Sequence, residues 1–200
     1  FITGDMEAQL SFAGAMAGLE AGRHQPRFLV VDIGGGSTEF VLGDDEPQRW
    51  VSIDVGCVRM TERHLAGDPP TSTEVSDARA DIASAVAMAD DAIDFDRART
   101  LVGLAGSVTT VAAHALDLPA YDESVLHGSV ISLASVDRAT DAYIAMSRSE
   151  RAALPYMHPG RVDVIAGGAM VLQEIMHRGR FAEVVVSERD ILDGIAYSLM

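Results

Sequence analysis

A glycine-rich turn with a carboxylate on each side is the strongest chemical signal in this sequence. The turn consists of Gly34, Gly35, Gly36, Ser37 and Thr38. Because glycine has no Cβ, the backbone here can lie close to a ligand, and successive N–H groups can form an anion-binding concavity. Asp32 precedes the turn and Glu39 ends it, and carboxylate oxygens suit Mg²⁺ held between a protein and phosphates. These residues favour a phosphate site with a metal site beside it over a plain hairpin.

Two common phosphate-binding motifs are excluded by the residues around this turn. A P-loop requires a lysine after its glycines, and this sequence contains no lysine. The dinucleotide-binding fingerprint requires a last glycine in a turn that opens a helix, whereas Glu39 stands at that position here. The apolar residues Phe40 to Leu42 then continue as a strand. The pattern therefore predicts a third kind of phosphate turn, placed between two strands.

Two other segments carry residues that suit the same chemistry. Gly106 and Ser107 lie between a buried apolar strand and a predicted helix, and a helix N-terminus in this position attracts anions. A simple strand-to-helix turn is the alternative. Glu7 lies in the first turn of an amphipathic helix, where a carboxylate can hold a water molecule for attack or can interact with the helix dipole.

The composition limits the classes of partner. The net charge is −15, and all 15 basic residues are arginines, so we expect binding neither to nucleic acid nor to anionic membranes. No apolar run approaches the roughly 20 residues of a membrane span, and the histidine spacing does not suggest zinc. Cys57 is the only cysteine, which fits a cytoplasmic protein and favours a buried apolar role over that of a nucleophile.

The periodicity of apolar residues predicts a mixture of strands and helices. Strands are expected over 28–32, 39–43, 49–54, 100–105 and 181–186, and helices over 7–20, 57–66, 71–94, 108–116 and 190–200. Thr71 and Glu74 form a capping box for the longest helix. The section 121–180 is predicted to be a mostly helical insertion, with helices near 135–147, 148–154 and 161–178 and with small residues at Gly167 and Gly168 that permit close helix packing.

Without that insertion the element order is β-β-β-α-β-α-β-α, which indicates an α/β fold whose mixed sheet is covered by helices. This order resembles one lobe of the actin-like (ribonuclease H-like) ATPase fold. The predicted units are an entry helix in 1–22, the lobe core in 23–120, the insertion in 121–180, and a closing strand and helix in 181–200.

Several motifs together resemble one family more closely, the exopolyphosphatase/guanosine pentaphosphate phosphatase (Ppx/GppA) family. Asp32 to Glu39 resembles its second phosphate motif, 4–12 its Gly-x-x-Glu-Ala-Arg-Leu segment, and 103–110 its later glycine-threonine turn. The resemblance continues in order through His127-Gly128, Arg161 to Gly167 and Asp190 to Gly194. The match is specific because it spans nearly the whole chain.

The resemblance implies an enzyme that removes a terminal phosphate from inorganic polyphosphate or guanosine pentaphosphate by Mg²⁺-dependent attack of water. By this resemblance Glu7 aligns with the catalytic glutamate, Asp32 and Glu39 hold Mg²⁺, and the amides of Gly34 to Ser37 hold phosphoryl oxygens. It also implies a missing N-terminal lobe of the same polypeptide, which would form the other wall of the cleft, and a possible homodimer.

Some features depart from the family pattern and keep other functions open. Gln9 replaces the family arginine, and the high acidity suits a long polyanion poorly. A non-hydrolysing regulatory module that binds guanosine tetra- or pentaphosphate is therefore the alternative, and an actin-like kinase lobe is a weaker one. For Arg59, Arg63 and Arg161, ion pairs with the abundant carboxylates are favoured over phosphate contacts, and His127 is expected to pack or to hydrogen-bond within a turn.

Overall fold

A hairpin of two apolar strands forms the centre of the computed structural model, which describes residues 4–16, 19 and 24–189. The hairpin strands β1 (Phe28–Ile33) and β2 (Thr38–Gly43) are antiparallel, and β3 (Pro47–Ile53) pairs with β2 at the edge. The other strands are β4 (Thr100–Leu104), β5 (Val130–Ser132) and β6 (Glu183–Val186). The sheet order is β3-β2-β1-β4-β6-β5, in which β1, β4 and β6 are parallel and β5 is antiparallel to β6.

Helices cover both faces of this sheet. They are α1 (Gly4–Met16), α2 (Cys57–His64), α3 (Ser72–Ile93), α4 (Ala105–Ala115), α5 (Glu123–Leu126), α6 (Leu133–Ala145), α7 (Arg148–Ala152) and α8 (Ile165–Arg178). Helix α8 lies at the centre of the larger helical layer, where it contacts α2, α3, α4 and α6. In the part of the chain that the structure describes, no helix has the length and apolar character needed to cross a bilayer.

The period-two alternation of the strands assigns each residue to one face of the sheet. Val31 and Ile33 of β1 are buried in the large core shared with α3, α4, α6 and α8. Val30 and Phe28 are buried in a smaller core on the other face, together with Phe12 of α1. Asp32 alternates in phase with Phe28 and Val30, so it lies on the face of the sheet that α1 covers.

The local sequence signals predict most of these elements. The strands predicted at 28–32, 39–43 and 49–54 are confirmed to within two residues as β1, β2 and β3. The capping box is confirmed in both directions. The Glu74 N–H donates to the Thr71 hydroxyl at 3.3 Å, and the Thr71 N–H donates to a Glu74 carboxylate oxygen at 2.7 Å. The α/β class with a mixed, helix-covered sheet is likewise confirmed.

Other boundaries differ from the predictions. Helix α1 begins at Gly4, and α4 begins directly after β4, so that Gly106 and Ser107 lie in its first turn instead of in a separate turn. Section 121–180 contains the strand β5, which was not predicted and which joins the same sheet. The residues of this section share the large core, and its description as an insertion stays a prediction. The predicted closing helix 190–200 lies outside the described residues.

Candidate active site

The two predicted phosphate motifs meet at one edge of the sheet. Strands β1 and β4 are parallel neighbours, and Asp32 near the end of β1 is paired with Leu104 at the end of β4. The glycine turn follows β1 and helix α4 follows β4, so both motifs leave the carboxyl edge of the sheet side by side. In α/β sheets this edge is where ligands bind.

The glycine turn presents a row of backbone donors. The turn is closed by a hydrogen bond from the Gly34 N–H to the Ser37 carbonyl at 3.0 Å. Within the described part of the chain, no protein acceptor is bonded to the N–H groups of Gly35, Gly36 or Ser37. Three consecutive amides are thus available for phosphoryl oxygens, whereas the Gly34 amide, which was also assigned to phosphate, is used within the turn. Phosphate binding by this turn stays a prediction.

Asp32 and Glu39 are directly opposite each other in the β1–β2 ladder. Residues opposed in this way point to the same face, with Cβ atoms about 4.5–5.5 Å apart. The Ser52 hydroxyl donates to Glu39 Oε1 at 2.8 Å, which orients that carboxylate. Mg²⁺ is bound by one or two carboxylates together with substrate phosphates, so this donor pair fits it, and no larger acidic or histidine cluster occurs among the described residues.

Glu7 belongs to the helix that covers the same face. It lies in the first turn of α1, and α1 packs on the sheet through Phe12 and Ala15. The ring of Phe12 lies against Gly43 at the far end of β2, 3.1 Å from where a Cβ would stand. The structure therefore places α1 over the strands that carry Asp32 and Glu39. The catalytic role of Glu7 itself stays a prediction.

The first turn of α4 is built to leave its amides available. No side chain of the described residues caps this turn, so its first N–H groups are available to an anion. Ala105 has a φ of 67°, a left-handed conformation that costs a non-glycine residue roughly 1–2 kcal/mol. Strain of this kind is concentrated at functional sites. Both observations favour the anion-binding interpretation of Gly106 and Ser107.

Two of the predicted phosphate-binding residues, Thr38 and Ser107, have buried side chains. The Thr38 hydroxyl is buried and donates to the Val55 carbonyl at 2.6 Å, so it anchors the turn from behind. The Ser107 hydroxyl is also buried, and it points towards Gly168 of α8. Any contact of Ser107 with phosphate must therefore come from its backbone N–H. Alternation along β2 places Thr38 on the face opposite Glu39, so the strand pattern alone indicates a buried Thr38 side chain.

The arginines near the edge divide into two groups. Arg59 pairs with Asp54 at 2.9 Å and Arg63 pairs with Asp81 at 2.6 Å, which confirms the ion pairs predicted for both. Arg161 is different, because no described carboxylate lies within 4.0 Å of its guanidinium group. The guanidinium instead lies against Gly106, where a Cβ would be 2.3 Å from Nη2. The prediction of an ion pair for Arg161 is therefore wrong within the described structure. Its guanidinium group is a cation beside the N-terminal end of α4.

Cys57 is fully buried between the two motifs, which confirms its expected packing role. A polar cluster lies on the other side of α4, where the Tyr121 hydroxyl contacts Thr109 and donates to Glu188 at 2.6 Å. Burial raises the pKa of the Glu188 carboxyl. His127 Nδ1 accepts a hydrogen bond from the Glu188 N–H at 3.3 Å, so its partner lies 61 residues away and not within its own turn as predicted.

Comparison with known proteins agrees with this geometry. The model of the Ppx/GppA phosphatase family matches residues 1–200. The chain is 48% identical over 202 residues to Exopolyphosphatase 2 of Mycobacterium tuberculosis, covering 99% of this chain and 63% of that protein. The chain thus spans just under two thirds of this curated relative.

Solved structures show the same likeness. The crystal structure of an exopolyphosphatase-like protein superposes with a TM-score of 0.95 at 38% identity, covering 99% of this chain and 67% of the other. A Ppx/GppA phosphatase from Aquifex aeolicus superposes with a TM-score of 0.88 at 27% identity, covering 100% of this chain and 64% of the other. The fold is therefore that of the Ppx/GppA proteins, as the order of strands and helices predicts.

Proposed function

Because the chain belongs to the Ppx/GppA phosphatase family, we propose that it forms one wall of the catalytic cleft of a Mg²⁺-dependent phosphohydrolase. The substrate is inorganic polyphosphate, guanosine pentaphosphate or both, and the reaction removes the terminal phosphate. An N-terminal lobe of the same polypeptide supplies the other wall. The enzyme acts in the cytoplasm, and it is a candidate homodimer.

The observation that carries this function is the juxtaposition of free amides and paired carboxylates at one sheet edge. The amides of Gly35 to Ser37 have no described protein acceptor, and Asp32 and Glu39 stand opposite each other in adjoining strands. Such preorganised donors stabilise the charge on a transferring phosphoryl group, and in comparable sites each contributes about 2.7–4 kcal/mol. A plain hairpin needs neither feature.

Each group has a part in the reaction. The glycine-turn amides and the first turn of α4 bind oxygens of the terminal phosphates, and Asp32 and Glu39 hold Mg²⁺. Mg²⁺, when bound, neutralises phosphate charge as a Lewis acid. Glu7 accepts a proton from the attacking water, whose oxygen bonds to the terminal phosphorus as the bond to the bridging oxygen breaks. The shortened chain and inorganic phosphate then leave.

The test is phosphate release by the full-length polypeptide with Mg²⁺ on long-chain polyphosphate and guanosine pentaphosphate, assayed side by side. Release from at least one substrate is expected, and the ratio of kcat/KM values identifies the preferred one. Absence of release from both, together with calorimetric binding of guanosine tetraphosphate, would overturn the hydrolase and leave the regulatory module that Gln9 suggests. Loss of ATP that requires an added sugar or acetate would instead indicate a kinase.

Substitution of Arg161 by glutamine tests whether this cation, beside the N-terminal end of α4, contacts the substrate phosphates. Hydrogen bonds to charged groups contribute about 1.5–3 kcal/mol, so we expect KM for polyphosphate to rise about 10- to 100-fold. Arg161 has no carboxylate partner in the described structure, so its removal leaves no buried carboxylate without a counter-charge. The free energy of unfolding should therefore change little. Steady-state kinetics measure the KM, and Arg63→Gln, which breaks an ion pair away from the turn, is the matched control. An unchanged KM would exclude the phosphate contact.

A further inference from the structure

The first turn of α2 is bonded to the phosphate turn rather than to a capping side chain. The Cys57 N–H donates to the Gly34 carbonyl at 3.0 Å. The Val58 and Arg59 N–H groups donate to the Gly35 carbonyl at 2.9 Å and 3.0 Å. Among the described residues no side chain caps α2, and the glycine turn satisfies N–H groups that a helix otherwise leaves unpaired.

These bonds fix the direction of the substrate-facing donors. In a trans peptide unit the C=O and the following N–H point in opposite directions. With the carbonyls of Gly34 and Gly35 held on α2, the N–H groups of Gly35 and Gly36 must point away from α2. These are two of the three amides that have no described protein acceptor. The orientation of the phosphate donors therefore depends on α2.

Gly56 makes this close contact possible. A Cβ at Gly56 would lie 2.6 Å from the carbonyl carbon and oxygen of Gly35 and 2.7 Å from the Gly34 oxygen. The backbone of Gly56 is extended, with φ of −154°, so any residue could adopt its conformation. The requirement for glycine here is therefore one of space against the phosphate turn, and not of backbone freedom.

Two glycines of α8 hold α2 from the other side. A Cβ at Gly167 would be 2.9 Å from the Cys57 carbonyl oxygen, and one at Gly168 would be 2.3 Å from the Ser107 hydroxyl and 3.1 Å from the Cys57 Cβ. Cys57 of α2 and Ser107 of α4 thus lie against the same turn of α8. A continuous chain of close contacts joins the glycine turn to the first turn of α4.

Building on the phosphohydrolase proposed above, we propose that α2 is the positioning element of the catalytic cleft. It orients the amides of the glycine turn, and its packing against α8 sets the distance between the glycine turn and the first turn of α4. Gly56 and Gly167 are positioning residues for the reaction although neither contacts substrate. Gly56 acts on the turn directly, and Gly167 acts through α2.

The experiment compares Gly56→Ala and Gly167→Ala in the full-length protein. A displacement of about 1 Å in a positioning group can lower the rate about 100-fold, so we expect that loss in kcat/KM for Gly56→Ala. Gly167→Ala, whose Cβ is less crowded, should fold and lose less. Calorimetry with inorganic tripolyphosphate measures phosphate binding without turnover, and both variants should bind more weakly.

Gly179→Ala is the matched control, because its Cβ would lie 2.2 Å from the Phe181 ring just after the C-terminal end of α8, away from both phosphate motifs and from α1. It should lower the melting temperature but keep wild-type kcat/KM and affinity. Wild-type values in Gly167→Ala, or equal losses in Gly179→Ala at matched stability, would overturn the positioning role. A wild-type protein that binds tripolyphosphate without hydrolysing anything would overturn the hydrolase alone, since weaker binding by the variants would still support the role of α2.

Discussion

Replacement of Glu7 by glutamine in the full-length protein is expected to lower kcat for phosphate release by about 10²- to 10⁴-fold, the contribution of a positioned general base. Glutamine keeps the size of the side chain and can still hold a water molecule, but it cannot accept the proton. Because the phosphate oxygens are bound by other groups, KM should change little. Initial rates over a range of polyphosphate concentrations measure both constants.

The matched control for this variant is Glu46→Gln, which makes the same chemical change at an exposed position in the turn between β2 and β3. It should retain the wild-type kcat. If Glu7→Gln also retained the wild-type kcat, Glu7 would serve only as a partner of the helix dipole, and the attacking water would be activated by another group. Equal loss in both variants would point to an effect of net charge.

The part of the site that the sequence predicts is the part that is local in the chain. Asp32, the glycine turn and Glu39 form one hairpin, so strand periodicity and the turn residues are enough to place the carboxylates opposite each other. The capping box of α3 is equally local, since both of its hydrogen bonds join Thr71 to Glu74. For such features the residues that specify the structure are also the residues that adopt it.

The features that were not predicted depend on contacts between distant segments. The strand β5 has three residues, too few for an alternating pattern, and it exists because β6 offers it a partner. The environment of Arg161 depends on Gly106, and the need for glycine at position 56 depends on Gly35. No local pattern carries this information. The assignment of Arg161 to an ion pair followed the abundance of carboxylates, which does not tell which arginines have no carboxylate nearby in the described structure.

Thr38 and Ser107 show that a motif predicts a backbone path without predicting the direction of each side chain, and their part in phosphate binding stays a prediction. Both hydroxyls are buried and face the helical layer. In a phosphate turn the backbone N–H groups are the donors, so the side chains are free to anchor the turn in the core. A resemblance between motifs therefore transfers the backbone path more safely than the role of each side chain.

Replacement of Asp32 by asparagine is expected to lower kcat/KM about 100-fold at a fixed Mg²⁺ concentration and to raise the concentration of Mg²⁺ that half-saturates the enzyme. A metal ion contributes several kcal/mol of charge stabilisation in the transition state, and each 1.4 kcal/mol is a factor of ten in rate. The neutral amide oxygen is a weaker ligand than the carboxylate. Because the chain has a net charge of −15, we expect binding of the proposed polyanionic substrate to depend strongly on the cation. Titration of activity with Mg²⁺ after treatment with a chelator measures the shift.

Ser52→Ala provides a graded test of the same site. Its hydroxyl orients Glu39 through the 2.8 Å hydrogen bond, and loss of such an outer partner lowers metal affinity about 10- to 100-fold. Saturating Mg²⁺ should therefore restore the activity of Ser52→Ala but not that of Asp32→Asn, since the first variant keeps both carboxylates.

Asp45→Asn, in the exposed turn after β2, removes the same charge away from the site and should leave the Mg²⁺ titration unchanged. If Asp32→Asn titrated like Asp45→Asn, Asp32 would not be a metal ligand, and its place opposite Glu39 would require a different explanation, such as a hydrogen bond to the phosphate turn.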